Sequence, residues 1–225
     1  MDWHAWHAAY QDPSSPLSVR LRCVMRHLSA AIDQVPAGPV RLVSLCAGQG
    51  RDVLGVLPDH PRRPDVHAVL VETDERNAEV ARGAAAHAGL SQVTVRVADA
   101  SAVASFADAL PADVLLLCGI FGNISDADIK HTIDAAPALC APGATVIWTR
   151  HRRPPDLTPQ VRGWFTGNGF DEVAFDAPGT ATLVGVGVNR LRTPTPAAPP
   201  DGPLFTFRGT REHKHGGGPG STAAL

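Results

Sequence analysis

The chain has 225 residues, a formal net charge of −2 and a hydrophobic fraction of 44%. That length supports one sizeable α/β domain with its own core, and the near-neutral charge lacks the basic footprint of a general nucleic-acid binder. No apolar run reaches the ~18 residues of a membrane span, and Met1-Asp2-Trp3-His4 does not open in the manner of a secretory signal, so a cytoplasmic protein is expected.

The first residues hold Trp3, His4, Trp6, His7 and Tyr10, in a chain with only 5% aromatics. Ser15-Pro16 reads as a helix start, with Ser as N-cap and Pro at the first helical position. Leu21, Val24, Met25, Leu28 and Ile32 follow at helical spacing, and Pro36-Ala37-Gly38-Pro39 closes the helix. Residues 1–39 therefore read as an N-terminal aromatic and helical lid. A lid excludes water from a site; the competing role is an anchor that seats the first helix on the sheet.

From Val40 strands and helices alternate. Arg41 to Cys46 reads as a strand, Arg51 to Leu57 as a short helix, and Ala68 to Glu72 as a second strand. Asp74 caps a helix that runs to Gly89, Val93 to Val97 is a third strand, and Ser101 to Leu110 reads as a helix. Asp113 to Cys118 is almost purely apolar, as central parallel strands are. Ser125 caps the next helix, Ala144 to Thr149 is a fifth strand, and Thr158-Pro159 starts a helix ending near Gly169. Phe170 to Phe175 and Thr182 to Val188 are joined by a short connection and should pair antiparallel. The expected fold is an open seven-stranded, mostly parallel sheet with helices on both faces, an antiparallel last strand and the N-terminal lid. It spans residues 40–192. Residues 193–225 read as a Pro/Gly-rich extension with a final strand at Leu204 to Phe207 and a disordered end.

Cys23, Cys46, Cys118 and Cys140 form no Cys-x-x-Cys pair. Neither a disulfide framework nor a metal site is expected, and the four read as small buried hydrophobes.

Chemistry concentrates in the first strand-to-helix turn. Gly48 and Gly50 let the backbone turn sharply and a nucleotide-like ligand approach closely. Glu72 closes the second strand about 20 residues further on, where a carboxylate can accept from ribose hydroxyls. With these features, the span from Val40 to Asn189 resembles the class I S-adenosylmethionine methyltransferases, as an uncharacterised bacterial branch. The family's first motif is matched by Val43-Ser44-Leu45-Cys46-Ala47-Gly48-Gln49-Gly50, its second by Glu72, and its third by Val97-Ala98-Asp99-Ala100-Ser101. The fourth is matched by Asp113 to Phe121, and the Pro-Gly before strand five by Pro142-Gly143.

The resemblance implies S-adenosylmethionine as cofactor and S-adenosylhomocysteine as product, with no metal. It implies cofactor contacts from Ala47, Gly48, Gln49, Gly50, Asp52, Glu72, Thr73, Asp99, Ala100, Ser101, Cys118, Gly119, Ile120 and Asn123. Asp99 would accept from the adenine amino group, and the Ala100 N–H would meet a ring nitrogen. Ser44 and Cys46 depart from the family, which often has an acid and a glycine there; Gln49, Arg51 and Asp52 are the neighbours that could compensate.

At the acceptor side, Phe121 is either core or substrate-facing, and Asn123 either a ligand or a turn former. His151 is a candidate base and Arg150 a carboxylate clamp, with His7 and Tyr10 as further catalytic candidates from the lid. Arg152 and Arg153 read equally well as a solvated loop. The reading is a methyltransferase, monomer or homodimer, acting on oxygen or nitrogen of a small molecule, without membrane or nucleic-acid partners. The alternatives are RNA or protein methylation, or a non-catalytic S-adenosylmethionine-binding protein. An NAD-dependent oxidoreductase is disfavoured, because the chain has no Tyr-x-x-x-Lys pair.

Overall fold

The computed structural model describes residues 10–178, 183–192 and 198–208. Seven strands form one sheet: β1 (Val40–Leu45), β2 (Val66–Glu72), β3 (Val93–Val97), β4 (Ala112–Leu117), β5 (Cys140–His151), β6 (Phe170–Asp176) and β7 (Val184–Leu191). Their order is β3-β2-β1-β4-β5-β7-β6. The ladders from β3 across to β5 are parallel. β7 runs antiparallel to both of its neighbours, β5 and β6. The order reverses between β1 and β4, which opens a crevice beyond the carboxyl ends of those strands.

Five α-helices accompany the sheet among the described residues: α1 (Pro16–Gln34), α2 (Val53–Val56), α3 (Glu75–His87), α4 (Asp126–Leu139) and α5 (Thr158–Gly167). Their starts follow from local chemistry. Ser15 accepts from the Ser18 N–H, Asp74 from Arg76 and Ser125 from Asp128, each satisfying a donor that the helix leaves unpaired. At α5 the N-cap is Leu157, and Asp156 just before it supplies the acceptor, its Oδ1 taking the Thr158 N–H at 2.9 Å.

Val114, Leu115, Leu116 and Leu117 of β4 are wholly buried, because helices cover both faces of the sheet. One face gathers Phe106, Phe121, Trp148, Phe165 and Phe170. The other gathers Leu28, Ile32, Leu42, Leu57, Leu70 and Ile147. Each such side chain contributes about 1.5–3 kcal/mol relative to exposure. α1 supplies Val24, Leu28, Ala31 and Ile32 to the second cluster, so its apolar stripe lies directly on the sheet. Its C-terminal turn is held by Arg62, which donates to the carbonyls of Ile32, Val35, Pro36 and Gly38 at 2.9, 2.5, 3.1 and 2.8 Å.

Three expectations are corrected. Residues 101–110 form two 3-10 turns, Val103–Ser105 and Ala107–Ala109, where a helix was expected. The Ser105 hydroxyl donates to the Asp99 carbonyl at 2.7 Å, a local bond that competes with helix propagation, and Pro111 blocks continuation. Leu204 to Phe207 makes one isolated bridge, Ile124 to Phe207, in place of a strand. Its Leu204 N–H instead reaches the Ser101 carbonyl, because the chain beside it is a turn and offers no ladder. β7 continues to Leu191 rather than stopping at Val188; Thr182 lies outside the described residues. Among the described residues no helix is long and apolar enough to cross a membrane.

Candidate active site at the carboxyl ends of β1, β2, β3 and β4

β1 delivers the chain into the turn Cys46–Asp52. Cys46, Gly48 and Gly50 all have positive φ, at 54, 57 and 65°. Cys46 thus holds a left-handed backbone, at a cost of roughly 1–2 kcal/mol for a residue with a Cβ. At Gly50 a Cβ would lie 2.7 Å from Leu70 Cδ2 and 3.0 Å from Leu54 Cδ1, so those methyl groups would have to shift, and the positive φ disfavours any side chain. Its absence lets α2 seat against β2.

Glu72 is buried at the end of β2. Its Oε2 accepts from the Gly48 N–H at 2.7 Å and its Oε1 from the Asp74 N–H at 2.8 Å. One carboxylate therefore fixes the loops after both β1 and β2. Each oxygen keeps a second lone pair for a further donor. Thr73 beside it is exposed. After β3, Asp99 is exposed and its Oδ1 accepts from the Ser101 N–H at 2.8 Å. Ala100 and Ser101 are buried, and the Ala100 N–H has no acceptor among the described residues.

At the end of β4, Cys118 is half-buried. The Gly119 N–H donates to Thr149 Oγ1 at 2.9 Å, and Asn123 Nδ2 to the Gly119 carbonyl at 2.7 Å. Asn123 thus braces this turn through its amide nitrogen. Ile120 and Phe121 are fully buried, and the Phe121 ring lies 6.0 Å from that of Trp148. Phe121 is core. Burial of the Ile120 side chain leaves only its backbone for a ligand.

β5 ends with Arg150 and His151. Arg150 is buried, donates through Nη1 to the Phe121 carbonyl and has Nη2 3.7 Å from Asp126. It braces the turn between β4 and α4, a task different from the substrate clamp expected of it; burial holds its pKa below the ordinary value. The His151 ring adjoins the same turn: a Cβ on Gly122 would lie 3.5 Å from its Cδ2. Burial first, then the Arg150 and Arg153 charges, push the His151 pKa below 6.5, which leaves a neutral imidazole at physiological pH. Its Nδ1 is buried without a partner among the described residues. Arg152 pairs with Asp156 at 3.3 Å, and Arg153 is exposed.

Over the glycine turn lies a cluster only partly anticipated from the sequence. Tyr10 Oη accepts from Arg20 Nη2 at 2.7 Å, and the Arg51 guanidinium stands 5.2 Å from the Tyr10 ring centre. Arg51 donates to Gln49 Oε1 at 3.1 and 2.8 Å, and Gln49 Nε2 reaches Asn77 Oδ1 at 3.3 Å. Asp52 accepts from the Val53 N–H at 2.8 Å. Burial raises the pKa values of Asp52 and Tyr10. Arg20 and Asn77 were not anticipated. Asn77 carried a signal: it is a polar residue on the inward face of α3 beside Ala78 and Ala81, and its Nδ2 is buried without a partner. Trp3, His4, Trp6 and His7 lie outside the described residues.

The donor set suits an adenosine-bearing ligand. Glu72 and Asp99 offer carboxylate acceptors, the Ala100 N–H and Asn77 Nδ2 are donors left open, and Gly119 has nothing within 4 Å of where a Cβ would stand. No protein-family model matches the chain, and no curated protein matches it. Solved structures do. Magnesium protoporphyrin IX methyltransferase from Synechocystis PCC 6803, with bound S-adenosylmethionine, superposes with a TM-score of 0.63 at 11% identity, covering 84% of this chain and 89% of that one. The 1,6-didemethyltoxoflavin N1-methyltransferase of Burkholderia thailandensis, with S-adenosylhomocysteine, gives 0.62 at 14% identity over 85% and 84%. An O-methyltransferase family protein from Burkholderia thailandensis gives 0.57 at 16% identity over 79% of this chain, which spans only 58% of that protein. The chain has the Rossmann-like fold of the class I methyltransferases.

Proposed function

We propose that the chain is an S-adenosylmethionine-dependent methyltransferase acting on an oxygen or nitrogen atom of a small molecule. One observation carries this reading: Glu72 at the end of β2 grips the Gly48 N–H of the turn after β1, beside the point where strand order reverses. Glu72 would hold the ribose hydroxyls, Asp99 the adenine amino group and the Ala100 N–H a ring nitrogen. The Cys46–Gly50 turn would meet the methionine end. When bound, the cofactor supplies an electrophilic methyl group. His151, neutral and beside the β4 turn, accepts the proton of an acceptor hydroxyl or amine. Tyr10, stacked on Arg51 and held by Arg20, covers the glycine turn and keeps water from the reacting atoms. The small net charge favours a small molecule over a nucleic acid, and four unpaired cysteines suit a reducing, cytoplasmic setting.

Calorimetry with S-adenosylmethionine, S-adenosylhomocysteine and NAD tests the cofactor. Binding of the first two without the third is expected; no binding of either at millimolar concentration would sink the proposal. One feature favours binding without catalysis, namely the buried, uncharged Ser44 where the resembled family often has an acid. Tight S-adenosylhomocysteine binding without methyl transfer to any of a panel of phenols, carboxylates and amines would support that second reading.

A further inference from the structure

α1 and the end of β6 bring three different metal-binding side chains together. Cys23 and His27 stand one helical turn apart on α1, on one face of the helix. Asp176 closes β6. Asp176 Oδ2 lies 2.6 Å from His27 Nε2 and 3.3 Å from Cys23 Sγ, and all three ligand atoms fall within 4.8 Å of one another. Bonds of about 2.0–2.3 Å around a tetrahedral zinc place neighbouring ligand atoms about 3.3–3.7 Å apart, so small side-chain shifts would form the coordination sphere.

We propose that Cys23, His27 and Asp176 form a zinc site that clasps α1 to the end of β6. The mixed sulfur, nitrogen and oxygen set suits zinc over the oxygen-seeking magnesium and calcium. The site is sheltered yet reachable: Cys23 is 4% exposed, while the side chains of His27 and Asp176 are 16% and 34% exposed. Three protein ligands leave a fourth position for water.

Arg26 is the group a metal would displace. Its Nη2 lies 2.5 Å from Asp176 Oδ2 and 3.6 Å from Cys23 Sγ, so a positive charge already occupies the concentrated negative potential. The Arg26 side chain is 66% exposed and can turn out to solvent when a divalent ion enters. On binding, Cys23 releases its thiol proton to solvent, its sulfur and the His27 nitrogen each donate a lone pair to zinc, and Asp176 binds as the carboxylate. α1 also carries Arg20, the donor to Tyr10, so the clasp steadies the helix that holds the cover over the glycine turn.

Chelator-stripped full-length protein is titrated with zinc against a chromophoric chelator, beside the variants Cys23→Ser, His27→Gln, Asp176→Asn and Arg26→Ala, each checked for fold by circular dichroism. One equivalent of zinc is expected, with affinity about tenfold or more weaker in each of the three ligand variants. Arg26→Ala should bind several-fold more tightly, because it removes the competing cation. Cobalt in place of zinc should add a thiolate charge-transfer band that Cys23→Ser lacks. No uptake at micromolar zinc, unchanged affinity in Cys23→Ser, or unchanged or weaker binding in Arg26→Ala would overturn the proposal. None of these readouts depends on methyl transfer.

Discussion

Glu72 has two duties that a substitution separates. Its oxygens hold the Gly48 and Asp74 N–H groups, and the same oxygens would accept from the cofactor ribose. Glu72→Gln keeps one acceptor oxygen and the shape, whereas Glu72→Ala removes both. Glu72→Ala should weaken S-adenosylmethionine binding by about 1–3 kcal/mol and lower the melting temperature as the two loops separate. Glu72→Gln should lose affinity with a smaller loss of stability; calorimetry and thermal denaturation read the two. At His151 the lowered pKa sets a sign. The fold disfavours the cation, so the associated stability is complete above pH 6.5 and is lost as pH falls below that value toward the folded pKa. If His151 is the base, the acidic limb of the kcat/KM profile, which reports the free protein, lies below 6.5 and disappears in His151→Gln. The acid ending strand two and the turn glycines were readable from the sequence, because strand patterning and spacing locate them. Arg20 and Asn77 were not readable, since their place beside the turn depends on how α1 and α3 pack.

Helices were legible where a side chain caps them. Ser15, Asp74 and Ser125 each announce a start, and each caps one. The segment after β3 misled because its alanines favour a helix while Ser105 and Pro111 oppose one; those two act through a backbone bond and a missing donor, which periodicity does not register. The end of α1 shows another long-range device. Arg62 reaches four carbonyls of α1 and the following turn, so it satisfies acceptors that the helix cannot. Arg62→Ala should destabilise the fold by about 1–3 kcal/mol, seen as a lower urea midpoint with unchanged slope. An unchanged midpoint would mean that water serves those carbonyls equally well.

At the scale of the molecule, residues 198–208 return to the end of the sheet that carries the candidate site. Leu204 and Phe205 are buried. The Leu204 N–H donates to the Ser101 carbonyl and the Arg208 N–H to the Asn123 carbonyl, while Thr132 Oγ1 donates to the Leu204 carbonyl at 2.8 Å. This segment ties the turn after β3 to the turn after β4. Leu204→Ala should cost about 2–5 kcal/mol and also weaken S-adenosylmethionine binding, because the Asp99–Ser101 turn loses its brace. Destabilisation with intact affinity for the cofactor would separate the segment from the site. The alternating strands and the antiparallel finish followed from hydrophobic pattern and connection length. The role of Leu204 to Phe207 did not, since a short apolar run looks the same whether it joins a sheet or fills a gap between turns.

The placement of β7 bears on how the chain matures during synthesis. β5 and β6 share no ladder; the strand that joins them is made after both. While a ribosome still holds residues 184–191, β5 presents an apolar edge with open hydrogen-bonding groups, a template for unwanted pairing with other chains. Early emergence of the glycine turn therefore does not yield a finished domain. Nascent chains stalled short of Leu191 should need a chaperone to stay monomeric, whereas chains released past Phe207 can close the sheet and cover the turn after β3 unaided.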